Sequence, residues 1–384
     1  MSGDNPAIHI LPAPLPTAWP EPTVGAVALL AAGSTIAQAA VVTTPSPWRA
    51  VQPMLTARPA RQLIIASNHR SALDRAAQDL SGPPTLVGIG GGLAMDAAKY
   101  IAKVNRQKLI QLPGSAANNA CFTRTAWVMD GETRTAERNC PIPDAVLVVP
   151  ELIAAAPDRL NRAGFAEILC SHTALFDWSL GHEAGHDVQW DEGLRGLARA
   201  QLAALDTLAP GVAAGELSAF LEIVTISARF APGFASHPKA RFNAGSEHIF
   251  AWALEAASGG TVLHGEAVGL GTVLMALLQD NDPARAAQLA RSAGLPLRPE
   301  AMGASWAMVE GLAPALAARA AASDWYTVLN ALGERLESAF VDAMPRLRAL
   351  IEDTEARTEP ALAAPISAGS GSDANARGPA PFCS

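Results

Sequence analysis

The chain has 384 residues, 49% of them apolar and 17% charged, and a formal net charge of −8. That length suffices for two domains with sizeable cores, and an acidic chain without a basic block argues against a nucleic-acid partner. No apolar run approaches the roughly 18 residues of a membrane span, Met1–Pro20 lacks the basic and apolar regions of a signal peptide, and the four cysteines, Cys121, Cys140, Cys170 and Cys383, have neither zinc nor disulfide spacing, so the expectation is a cytoplasmic protein off the membrane.

Residues 1–23 read as an extended, proline-rich lead-in. From 24 to 150, short apolar runs alternate with helical stretches. Arg61–Asn68 reads as a buried strand ending in a polar pair, and Ser71–Leu80 as a helix. Thr85–Ile89 is a second strand, Met95–Val104 a second helix, Lys108–Leu112 a third strand and Ala145–Val149 a fourth. Strands separated by helices of about ten residues imply a parallel α/β sheet, which binds ligands at the carboxyl ends of its strands. Asn68, Gly90–Gly92 and the segment after Pro113 all fall there.

The second strand runs into Gly90-Gly91-Gly92, then Asp96 and Lys99. Glycine lets backbone approach a ligand closely, and a helix start offers free N–H groups and partial positive charge. The run therefore suits a phosphate or pyrophosphate, with a bare strand-to-helix turn as the alternative. It is not a GxGxxG fingerprint. Lys99 could face cofactor phosphates or be a solvated helix lysine.

After Pro150 the strand signal fades and helices are expected over 151–154, 163–180, 194–208, 216–228, 244–257, 266–279, 284–293 and further on to 353. The fold class expected is thus an α/β N-terminal nucleotide-binding domain with a parallel sheet (24–150) and an all-helical C-terminal domain (151–355), with 356–384 a disordered tail rich in Pro, Ala, Gly and Ser. The active site would lie in the cleft between the halves.

Three polar residues in the helical half sit among apolar neighbours: Glu167, His248 and His264. One carboxylate and two imidazoles suit a divalent ion that keeps a position open for substrate, although on spacing alone a histidine on an apolar helix is more often a hydrogen-bonded core residue. His172, five residues after Glu167, points to a different helix face and reads as structural or as a support behind the ligands. His182-Glu183-Ala184-Gly185-His186 fits HExxH, but Gly181 and Gly185 make a poor helix for it. Trp178 and Trp252 are expected in the core. Arg241 could hold a substrate phosphate or form a structural ion pair.

Together these strings resemble the superfamily of iron-containing alcohol dehydrogenases, glycerol dehydrogenases and dehydroquinate synthases. The glycine run with Asp96 and Lys99 is similar to its nucleotide loop, and Leu263-His264-Gly265-Glu266-Ala267-Val268-Gly269 to its histidine-bearing helix start. Gly164-Phe165-Ala166-Glu167-Ile168-Leu169 and Arg241 followed by Gly245-Ser246-Glu247-His248 resemble most the sn-glycerol-1-phosphate dehydrogenase branch. The resemblance implies a metal-dependent NAD(P) oxidoreductase that moves hydride between nicotinamide and a small, phosphorylated ketone or alcohol. Glu167, His248 and His264 would hold the divalent metal, zinc before iron or nickel. Asn68, Gly90, Gly91, Gly92, Asp96, Lys99 and Ser115 would meet NAD or NADP, with Asn119 and Arg241 at the substrate and the chain a homodimer, as the family often is.

Three positions depart from that branch. Glu167 stands where it has Asp, as in dehydroquinate synthases. Asn119 stands where it has an Asp that handles substrate or proton; an amide can hydrogen-bond but cannot act as a base. Cys170-Ser171-His172 stands where it carries a lysine. An NAD-dependent cyclase of the dehydroquinate synthase type and a non-catalytic descendant of the fold are the alternative readings.

Overall fold

A computed structural model of the chain describes residues 19, 20, 22–25, 33–117, 119–131, 133–186 and 189–362, with side chains to 354. The lead-in (apart from residues 19, 20, 22 and 23) and the tail beyond 362 lie outside the described residues.

The first half is a six-stranded parallel sheet in the order β1-β8-β5-β4-β2-β3. The strands are β1 Thr23–Val24, β2 Ala40–Thr43, β3 Arg61–Ile64, β4 Thr85–Gly90, β5 Lys108–Pro113 and β8 Ala145–Val148. β6 (Ala126–Asp130) and β7 (Thr133–Glu137) form a separate antiparallel hairpin. The helices of this half are α1 Gly33–Ala37, α2 Pro45–Val51, α3 Arg70–Asp79 and α4 Gly92–Asn105.

β4 is central and wholly buried, which explains its unbroken apolar run. Its residues alternate between two cores: Leu86 faces the core shared with α3 and α4, Val87 and Ile89 the core on the other side. Gly88 is there for space, because a Cβ would lie 2.6 Å from that of Ala98 on α4.

β3 corrects the sequence reading. It is an edge strand and largely exposed, not buried, and it stops at Ile64. Its inner neighbour β2 is only four residues long, too short for a periodicity signal, yet all four are buried.

The second half is helical: α5 Pro150–Ala154, α6 Asp158–Leu169, α7 Ser171–Glu183, α8 Glu192–Ala214, α9 Leu217–Arg229, α10 Ala231–Ser236, α11 Ser246–Ala257, α12 His264–Gln279 and α13 Pro283–Ser292, followed by short helices and a final one, Leu336–Leu362. The final helix therefore continues into the segment expected to be a tail. The helix expected over 163–180 is two helices broken at Cys170. α12 is buried along nearly its whole length and packs on α6, α11 and α13.

Leu217–Ser236 is long and apolar enough, by length and composition alone, to cross a membrane, contrary to the sequence expectation. More than half of it is buried inside the protein, where Phe220, Ile223, Ile226 and Phe230 join the main core.

Candidate metal centre and nucleotide cleft

α4 starts where β4 ends, and the turn between them needs its glycines for two different reasons. Gly90 has φ +138°, a region that side chains rarely enter. Gly91 and Gly92 have open space above them, where a Cβ would meet nothing within 4 Å. The unpaired N–H groups of the first turn of α4 thus face an uncovered cradle. Gly114 closes in from the β5 loop, donating its N–H to Gly90 O at 2.8 Å.

That loop reaches the second domain by backbone contact. Ala116 N–H donates to Asn161 Oδ1 on α6 at 2.8 Å. A Cβ on Gly164 would sit 2.4 Å from Ala116 O, and one on Gly265 2.3 Å from Ala163 O. Loop, α6 and the start of α12 therefore stack main chain on main chain. Arg159 fixes the same corner with two hydrogen bonds to the fully buried Glu266, at 2.5 and 2.6 Å.

Glu167 from α6, His248 from α11 and His264 from the first position of α12 converge, with one donor atom from each within 4.8 Å of the others. His248 Nε2 lies 3.8 Å from Glu167 Oε2, and His264 Nε2 3.6 Å from Glu167 Oε1. Each imidazole has its other nitrogen held by a carboxylate. His248 Nδ1 is 2.8 Å from Glu247 Oε1, and His264 Nδ1 bonds Glu255 Oε1. Glu247 is itself held by the Gly245 N–H at 2.6 Å and the Thr173 hydroxyl at 2.8 Å. A carboxylate on Nδ1 fixes the ring and turns Nε2 toward the centre, as in histidine sites that hold metals.

Burial works against ionised Glu167, but His264 and His248 beside it hold its pKa below the usual carboxylate value. Burial likewise disfavours charged His248, yet Glu167 and Glu247 outweigh it and raise the ring to about 10. The donor set, one carboxylate and two imidazoles, fits a divalent ion.

A cavity of about 450 Å³ joins this centre to the glycine turn. Of the residues singled out in the sequence, Gly91, Gly92, Asp96, Ser115, Asn119, Glu167, His248 and His264 line it. Asn119 Nδ2 donates to Glu167 Oε2 at 3.2 Å, so the amide braces the carboxylate.

Four residues are placed elsewhere. Gly90 lies beneath the cradle. Asn68 spends its amide on Trp127 O at 3.2 Å. Lys99 is neither solvated nor aimed at a ligand: it is fully buried, 2.9 Å from Asp96, and donates to Ala120 O, Thr123 Oγ1 and Thr125 O. Arg241 is 3% exposed and gives its guanidinium to the carbonyls of Asp177, Ala244 and Tyr326. It sets the α11 entry, where buried Asp177 also accepts the Ser246 and Val328 N–H groups at 2.7 and 2.8 Å.

Residues 28–157 match the iron-containing alcohol dehydrogenase family. The chain is 29% identical over 255 residues to the glycerol-1-phosphate dehydrogenase [NAD(P)+] of Aeropyrum pernix, a match covering 66% of this chain and 71% of that protein. It is 31% identical over 263 residues to the enzyme of that name from Sulfolobus acidocaldarius, covering 67% and 72%. The chain belongs to the iron-containing alcohol dehydrogenase family. The glycerol dehydrogenase of Schizosaccharomyces pombe shares the fold at 17% identity, with a TM-score of 0.71 over 89% of this chain and 92% of that one.

Against this family background, other expectations sort themselves. His172 Nε2 bonds Asn281 O at 2.7 Å and is structural. The HExxH string is not one helix, since α7 ends at Glu183; its histidines stack on Trp190 and Tyr326 instead. Trp178 is core as expected, whereas Trp252 lines the cavity. Sequence reasoning missed Glu247, Glu255 and the whole hairpin. The hairpin had a signal, Asp130-Gly131 between alternating residues, which is a tight-turn dipeptide.

Proposed function

We propose that the protein is a metal-dependent NAD(P) oxidoreductase that transfers hydride between nicotinamide and a small ketone or alcohol, of the glycerol-1-phosphate dehydrogenase type. The observation that carries the reading is the convergence of Glu167, His248 and His264, both rings held by carboxylates, on the cavity that opens at Gly91 and Gly92. These three residues would hold one divalent ion, with zinc before iron or nickel. When bound, it supplies Lewis-acid polarisation of the substrate oxygen.

The chain's own residues do the rest. Gly91, Gly92 and the first turn of α4 offer N–H groups to the cofactor pyrophosphate. Ser115, 2% exposed, lines the same cavity and would meet the cofactor there. Asn119 keeps the Glu167 carboxylate oriented and accepts no proton itself. Glu247 and Glu255 fix the tautomers of the two histidines. The complete donor set counts against a non-catalytic descendant.

Metal analysis with NADH and NADPH titration tests the reading. Stoichiometric metal that is lost in Glu167→Ala and His264→Ala, with nucleotide bound, supports it. A preparation with neither metal nor nucleotide refutes it. Net NADH release on turnover separates it from a cyclase, which returns its NAD unchanged.

A further inference from the structure

Side chains alternate between the two faces of a β ribbon, and directly paired residues share a face. In the hairpin register Trp127 pairs with Ala136 and Met129 with Arg134. Arg138 follows directly on the end of β7 at Glu137. Trp127, Arg134, Ala136 and Arg138 all line the cavity. One face of the hairpin therefore presents a tryptophan with Arg134 on the neighbouring strand, and Arg138 just past that strand joins them on the cavity wall.

The two arginines are not equivalent. Arg134 stacks 4.7 Å from the Trp127 ring centroid and reaches Glu255 at 3.5 Å, so it is engaged. Arg138 is exposed, and its side chain has no hydrogen bond or ion pair among the described residues. Arg124, at the foot of the hairpin, donates only Nε, to Cys140 O at 3.0 Å, and also lines the cavity.

The aromatic wall continues into the helical domain. Trp127 and Trp252 have ring centroids 5.8 Å apart, and Trp252 and Trp325 5.6 Å apart. Trp252 follows His248 by one turn, and their rings lie 6.0 Å apart. The wall thus runs from Trp325 through Trp252, beside His248, to Trp127, on which Arg134 stacks. A short polyhydroxylated chain has no flat apolar surface to set against these indoles, whereas a planar or alicyclic body gains both burial and stacking.

We infer that the substrate pairs an anionic group with a planar or apolar body: the body packs on Trp252 and Trp325 beside the metal ligands, and the anion is held by Arg138 with Arg124. This rests on the oxidoreductase reading above, in which the nicotinamide enters from the Gly91–Gly92 side and leaves the helical-domain tryptophans to the substrate.

The test is calorimetric titration of the metal-loaded protein, with NAD+ present, using phenyl phosphate, glycerol 1-phosphate and benzyl alcohol as probes. Phenyl phosphate is expected to bind at least about tenfold tighter than either of the others, since it alone offers both features. Arg138→Ala should erase its advantage over benzyl alcohol, and Trp252→Leu its advantage over glycerol 1-phosphate. Equal affinities, or a preference untouched by either variant, overturn the inference while bound metal and nucleotide leave the oxidoreductase standing. A loss in Arg138→Ala confined to NADPH, with NADH and phenyl phosphate unchanged, assigns the arginine to the cofactor and also overturns it. A protein that binds neither metal nor nucleotide fails the oxidoreductase reading, and the inference with it.

Discussion

Replacing Lys99 by methionine keeps the apolar stem and removes the ammonium group. In the native protein that group is 2.9 Å from Asp96 Oδ1 and donates to Ala120 O, Thr123 Oγ1 and Thr125 O, with no exposure to solvent. Removing one partner of a buried ion pair costs about 3–5 kcal/mol, because the remaining charge is stranded. Asp96 keeps only the Trp127 N–H at 3.1 Å. The three other acceptors add less, since Thr123 and Thr125 are only half-buried and water reaches them. The expected loss is about 4 kcal/mol, a large part of the 5–15 kcal/mol typical of native proteins, so the variant folds but is weakened. Urea unfolding at 25 °C, followed by far-UV circular dichroism, measures it on the first transition. Adding Asp96→Asn should recover about half of the loss, because the stranded carboxylate is then neutral. A single variant that loses less than about 1 kcal/mol, or a double variant no better than the single, would mean that Lys99 is not what holds the 120–125 loop.

Glu255→Gln and Glu247→Gln should each weaken metal affinity by about 10- to 100-fold without unfolding the protein, measured by competition with a chromophoric chelator; unchanged affinity would show that the carboxylates do not orient the rings. Gly164→Ala should destabilise by about 1–3 kcal/mol, because its methyl would meet the Ala116 carbonyl rather than a yielding side chain; a variant as stable as the wild type would disprove the close approach. Asp177 is raised from 3.8 to about 6, mainly by burial. The folded protein therefore holds that proton more tightly than the unfolded chain, so its contribution to stability is full below about pH 4 and lost as pH rises through about 6. The stability difference between wild type and Asp177→Asn should change across that window and level off above it, and a difference independent of pH would rule out this titration.

The parts legible in the sequence are those with a local signature. β4 and α4 declared themselves because a buried parallel strand is a continuous apolar run and the glycine turn marks its end, and β5 because its apolar residues lead into Pro113. Glu167, His248 and His264 were legible as unusual polar residues in apolar surroundings, and resemblance joined them. The roles of Lys99 and Arg241 were not, since a cation in a motif reads the same whether it faces a ligand or a ring of carbonyls. Only the tertiary partners decide, and those of Arg241 lie as far off as Tyr326. Glu255 was silent for the same reason: nothing in its own helix announces that it will meet His264, nine positions on.

The seam at Ala116, Gly164 and Gly265 has a bearing on how such an enzyme changes its diet. Where peptide groups rest directly on one another, no side chain acts as a spacer, so the separation between the glycine turn, which Gly114 joins to this loop, and the helix that carries Glu167 is insulated from mutation of the surrounding walls. Wall residues that hold no metal ligand in place can be exchanged for others without retuning that separation, whereas Arg134, through Glu255 and His264, is tied to it. Selection, or a designer, is thereby free to recut the pocket while the reaction geometry is inherited intact.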